Sequence, residues 1–117
     1  MDRPPVTVVE TPEFLNAARG ILDDGERAAL VEYLARHPMA GDLIVGTGGV
    51  RKLRWALQGR GKRGGARVVY FYHSTDLPLF VLTAYAKNER ADLSHADKND
   101  FKRLTKLLAE NYGKAKR

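Results

Sequence analysis

VRKLRWALQGRGKRGGARVVYFYHSTDLPLFVLTAYAKN, residues 50–88, is the stretch that decides the fold. It contains three strand-like runs, at 51–57, 67–73 and 79–86, each rich in β-branched or aromatic residues. The last run is almost wholly apolar, as suits a central strand buried on both faces. Asp76-Leu77-Pro78 is a turn, so the last two runs form a hairpin. Residues 58–65 make a longer, glycine-rich loop between the first two.

The same stretch carries the charge. Arg51, Lys52, Arg54, Arg60, Lys62, Arg63 and Arg67 fall between Asp42 and Asp76 with no acid among them. These seven account for the formal net charge of +6, so the rest of the chain is close to neutral. Charge gathered on a sheet, not on a tail, suggests a shaped surface for a polyanion. RNA is the first candidate, through its phosphates and 2′-hydroxyls.

The alternation of side chains sharpens this. Lys52 and Arg54 fall on one face of their strand, and Leu53 and Trp55 on the other. In the next strand Arg67, Val69, Phe71 and His73 share a face, opposite Val68, Tyr70 and Tyr72. With Leu53 and Trp55 packed on helices, Lys52, Arg54 and Arg67 are expected together on an open, cationic face.

Upstream, Val6 to Glu10 is a short β-branched run and reads as a first strand. Thr11 and Pro12 are suited to the N-cap and first position of a helix carrying Phe14, Ala17, Ala18 and Ile21. Asp23 or Asp24 caps a second helix with Ala29, Leu30, Tyr33 and Leu34 on its apolar face, and Pro38 ends it. Residues 39–49 read as a loop. Downstream, Ser94 and Asp97 form a capping box, with Asp in place of the usual Glu or Gln. It opens a terminal helix bearing Phe101, Leu104, Leu107 and Leu108. The expected class is α+β: a small twisted antiparallel sheet with helices packed on one face, in the order β-α-α-β-β-β-α.

Composition sets bounds. An apolar fraction of 44% with 29% charged residues is that of a globular chain and argues against disorder. There is no cysteine, which removes disulfides, thiolate metal sites and a thiol nucleophile. Neither a secretory leader nor a bilayer-length apolar run is evident. The expectation is a soluble, cytoplasmic protein with one domain spanning residues 1–117.

Other motifs have plainer readings. Gly59-Arg60-Gly61-Lys62-Arg63-Gly64 matches G-x-G-x-x-G, but it precedes a strand and lacks a surrounding βαβ unit, so it is not a dinucleotide fingerprint. It is not a phosphate-binding P-loop either, because Arg63 follows Lys62. A basic loop that touches phosphates by charge is the better reading, beside a merely solvated turn. His37, His73 and His95 are scattered and form no metal pattern. Only His73 falls near the cationic face. Ser94 is a cap and Asp23-Asp24 a helix start.

With the strands in place, the chain resembles the RelE/ParE superfamily of bacterial type II toxins, in particular the RelE and HigB-like ribosome-dependent mRNA interferases. The matching residues are Val50-Arg51-Lys52-Leu53-Arg54-Trp55, Gly65-Ala66-Arg67-Val68-Val69-Tyr70 and Leu82-Thr83-Ala84-Tyr85-Ala86-Lys87-Asn88-Glu89. The similarity covers nearly the whole chain. The G-x-R-V-V-Y strand taken with A-K-N-E is its specific part.

The resemblance implies an endoribonuclease that inhibits translation by cutting mRNA in the ribosomal A site. It implies attack of a 2′-hydroxyl on the adjacent phosphate, without metal or cofactor. It further implies neutralisation by a cognate antitoxin with a helix-turn-helix DNA-binding domain. Carried over, the catalytic set is Lys52, Arg54, Arg67 and Lys87. Arg51, Arg60, Lys62, Arg63, His73 and Arg90 are then the substrate-binding residues. Asn88 stands where the best-known branch has an arginine, a loss Arg90 could cover, and Ser94 stands where it has a tyrosine. No general base or acid is therefore assigned. The alternatives are a non-catalytic ParE-like toxin acting on DNA gyrase and a plain nucleic-acid-binding module.

Overall fold

The computed structural model describes residues 4–57, 65–87 and 94–115. The basic loop with Arg60, Lys62 and Arg63, and also Arg90, lie outside the described residues. The elements run β1 (Val8–Glu10), α1 (Pro12–Ala18), α2 (Asp24–Arg36), β2 (Asp42–Leu43), β3 (Val50–Trp55), β4 (Ala66–Phe71), β5 (Leu79–Ala86) and α3 (His95–Ala115). They build a five-stranded sheet in the order β1-β5-β4-β3-β2. The α+β class and the element order are those expected from the sequence.

Local chemistry sets the helix starts. Thr11 caps α1, accepting from the Phe14 amide at 3.2 Å, while its hydroxyl donates to Val81 O at 2.7 Å. One side chain thus ends β1, starts α1 and ties both to β5. Asp23, not Asp24, caps α2. Its carboxylate accepts from the Glu26 amide at 2.7 Å, and Glu26 accepts from the Asp23 amide at 3.0 Å. Ser94 and Asp97 form the corresponding reciprocal pair at α3, each bond 3.1 Å.

The two faces of the sheet have separate cores. Phe14, Ala18, Leu30 and Leu34 of α1 and α2 pack on Leu53, Val68, Tyr70 and Val81. Trp55 joins this side half-buried, with its ring centroid 5.6 Å from that of Tyr33. The reverse face gathers Val50, Val69, Phe71, Phe80, Leu82 and Tyr85, against which Phe101 and Leu108 of α3 pack. The open face is consequently narrower than the sequence suggested. The physical reason is that this face carries its own apolar residues, and α3 has an apolar stripe to cover them.

Two departures concern the strands. β1 joins β5 in parallel, pairing Val8 with Leu79 and Glu10 with Val81, so the sheet is mixed at that edge. Within the expected loop at 39–49, Asp42 and Leu43 pair with Lys52 and Arg51 as a short edge strand. Gly41 permits this close approach: a Cβ there would lie 2.9 Å from Tyr70 Cε1 and 3.0 Å from Lys52 O. Its amide donates to the Tyr70 hydroxyl at 2.8 Å.

α3 is fixed by a polar contact as well as by packing. The Thr105 hydroxyl, buried, donates to Thr47 O at 2.8 Å. Thr47 itself donates to Ile44 O at 2.6 Å and accepts from the Val50 amide at 3.1 Å, closing the turn into β3. Gly48 sits at φ +77, where a Cβ would lie 2.7 Å from Thr105 Oγ1. That position is therefore open only to glycine.

Candidate nucleic-acid interface

β3 and β4 are antiparallel, with Arg54 opposite Arg67 and Lys52 opposite Val69. β5 continues the row, with Tyr85 opposite Arg67 and Thr83 opposite Val69. Directly opposed residues project from the same face, with Cβ atoms about 4.5–5.5 Å apart. Arg54, Arg67 and Tyr85 therefore form a lateral line across three strands, with Lys52 one step along it. Lys87 follows Ala86 at the same end of the sheet. Its side chain is exposed, and its amide donates to Gly65 O at 3.3 Å.

Exposure grades across the line. Arg54 is exposed and Lys52 half-buried, whereas Arg67 is only 8% exposed and Tyr85 6%. The sequence placed Arg67 on an open face. Its burial follows from its position on β4, the central strand, with β3 and β5 neighbours on either side. Its Nη1 lies 3.4 Å from Ala66 O. A guanidinium retains its charge even when buried, so this is a fixed positive charge in a partly dry setting.

The remaining expected residues separate from the line. Arg51 alternates to the α1–α2 face, where its Nη1 donates to Gly41 O at 2.7 Å and Met39 O at 3.2 Å. It holds the 39–41 segment against β3. His73 is exposed and lies beyond Phe71, its ring 6.2 Å from the phenyl ring. Arg67 and Phe71 are themselves four residues apart, roughly 13 Å along an extended strand. His73 is thus at the far end of the face. Ser94 serves as a cap, with its hydroxyl committed to the Asp97 amide.

Tyr85 is the member of the line that alternation along the sequence missed. β5 carries a bulge: Val69 pairs with Thr83, but Tyr70 pairs with Val81, leaving Leu82 extra. Counting by twos from Leu79 and Val81, which face the α1–α2 side, sends Tyr85 to that side too. The inserted Leu82 reverses the parity and delivers Tyr85 to the face of Arg67.

The line can hold an anion. Arg54 and Lys52 offer accessible cations and Arg67 a fixed one, a set suited to a phosphoryl group whose oxygens gain charge in a transition state. Tyr85 adds a phenol that can donate or accept a hydrogen bond.

The sheet and its cationic line define a small α+β protein with an arginine pair set across adjacent strands. A family model for the RelE toxin of the RelE / RelB toxin-antitoxin system matches residues 8–115. The chain belongs to this family. It is thereby a toxin of a toxin–antitoxin system, with an antitoxin as its partner. No helix of the described residues is long and apolar enough to cross a membrane.

Proposed function

We propose that this chain, acting as a single toxin domain over residues 1–117, is a ribosome-dependent endoribonuclease that cleaves translated mRNA in the cytoplasm and so inhibits translation. The observation that carries the reading is the opposition of Arg54 and Arg67, with Lys52 on the same face. Two guanidinium groups opposed across the ladder, with a lysine on the same face, concentrate positive charge that suits an anionic ligand. The natural occupant is the scissile phosphate.

In the proposed reaction the 2′-hydroxyl oxygen attacks the adjacent phosphorus and the bond to the 5′ oxygen breaks. The products are a 2′,3′-cyclic phosphate and a 5′-hydroxyl. Arg67 and Arg54 stabilise the charge on the phosphoryl oxygens, while Lys52 and Lys87 flank the strand. No metal is required for this charge stabilisation. One group must accept the 2′ proton and another must supply a proton to the leaving oxygen. His73, at the far end of the face, is poorly placed for either task. A ribosome that holds the mRNA in line supplies orientation that the chain lacks by itself, and orientation can lower a barrier by several kcal/mol. The proposed antitoxin carries a helix-turn-helix domain and presents acidic groups to the cationic face.

The test sets purified chain with naked RNA beside the same chain with programmed ribosomes, mapping RNA ends at codons. Codon-linked cuts on ribosomes alone are expected. Equal cutting of both would refute the ribosome requirement, and no cutting of either would refute the nuclease reading.

A further inference from the structure

α3 carries a second cationic feature. Lys98, Lys102 and Lys106 recur at every fourth residue, so successive side chains are about 6 Å apart along the axis and turn slowly around it. The buried face of the helix is set by Phe101, Thr105 and Leu108. The lysines run along one flank of that face, Lys98 half-buried and Lys102 and Lys106 exposed. Asp97 and Asp100 fall on the other flank, Asp97 engaged with Ser94 and Asp100 with Arg103, and Glu110 follows Lys106 at the end of the lysine row. Among the described residues, none of the three lysines is in an ion pair. The Thr105–Thr47 hydrogen bond of 2.8 Å fixes the helix to the turn before β3. α3 also packs on the face that bears Lys52, Arg54 and Arg67.

We propose that Lys98, Lys102 and Lys106 form a docking ridge for the phosphate backbone of folded, A-form RNA, distinct from the line that engages the strand to be cut. The roughly 6 Å step is comparable to the spacing of successive phosphates on one strand. No aromatic side chain interleaves with the lysines, since Phe101 is turned to the sheet. This favours a duplex backbone, read by shape and charge, over splayed bases, which need stacking partners. A membrane surface is less suited: Phe101 and Leu108 are turned to the sheet, and the exposed Leu104 and Leu107 lie on the side of α3 away from the lysines, so cations and apolar residues could not meet it together.

The ridge rests on the RNA-directed reading above, yet its test needs no cleavage. Binding of a fluorescent RNA hairpin with a fully paired stem is measured across a salt series. The proteins compared are the wild type, the triple variant Lys98→Gln, Lys102→Gln, Lys106→Gln, and a triple Lys→Arg variant. Glutamine preserves helix propensity, so the fold should persist, and circular dichroism checks it. The Gln variant is expected to bind at least about tenfold more weakly at low salt, with a log–log salt slope shallower by about 2–3, and the Arg variant to restore both. An unchanged slope would overturn the ridge. So would a loss confined to anionic vesicles. A wild type that binds through the ridge but never cuts on ribosomes would fail the nuclease reading alone.

Discussion

Arg54 and Arg67 stand directly opposite one another in the β3–β4 ladder, one exposed and the other buried. Removing the accessible member should relieve repulsion and weaken function together. Arg54→Gln is expected to hold or slightly raise stability, by up to about 1 kcal/mol, while cutting ribosomal cleavage at least tenfold. Inorganic phosphate should raise the melting temperature of the wild type more than that of the variant. Equal stabilisation of both by phosphate would show that the pair does not hold an anion.

Arg67 needs a gentler probe than truncation. Its aliphatic stem is buried on a central strand, so Arg67→Ala removes packing as well as charge and should cost about 1–3 kcal/mol. Arg67→Lys keeps a cation and most of the stem but loses the planar fork. It is expected to fold, by circular dichroism and cooperative urea unfolding, and to lose on the order of 100-fold in single-turnover cleavage. Full activity in Arg67→Lys would remove the guanidinium from the mechanism.

Tyr70 gives the fold an alkaline limit. Burial raises its phenol above the ordinary value of 10.0, while the Gly41 amide and nearby Arg51 pull the other way. A phenol with a raised folded pKa favours the neutral form. Its contribution to stability is complete below the unfolded value and is lost as pH rises through the folded one. Urea midpoints should therefore fall as pH rises above about 10, and less steeply in Tyr70→Phe. At neutral pH that variant should be less stable by about 1 kcal/mol, because the Gly41 amide loses its acceptor. Parallel pH profiles for the two proteins would contradict this origin.

How far the sequence could be read depended on whether the signal was local. The caps at Thr11 and Ser94, the cap at Asp23 or Asp24, and the alternation of Lys52 to Trp55 are written within a few residues and are legible there. The face of Tyr85 was hidden because it depends on the extra Leu82, and an almost wholly apolar strand shows no period to betray a bulge. The burial of Arg67 depends on which strands flank β4, a long-range property. Arg51 looked like one more cation of a basic run. Its bonds to the carbonyls of Met39 and Gly41 exist only once β2 pairs with β3.

The seating of α3 yields the last prediction. Gly48 at φ +77 and Thr105 meet at a point where a Cβ would be 2.7 Å from the hydroxyl. Gly48→Ala meets backbone strain and a steric clash together and should destabilise by roughly 1–3 kcal/mol. Thr105→Val keeps the shape but leaves Thr47 O without the Thr105 hydroxyl, at a cost of about 1–2 kcal/mol. Because both changes act on one contact, the double variant should lose less than the sum, by at least about 0.5 kcal/mol. Gly48→Ala pushes the Thr105 side chain aside and so already breaks the bond to Thr47 O that Thr105→Val removes. Amide exchange should rise in α3 and at Val50, whose amide depends on Thr47, and stay low in β4 and β5. Strict additivity, with exchange rising evenly through the sheet, would mean that the Thr47–Thr105 contact does not seat the helix.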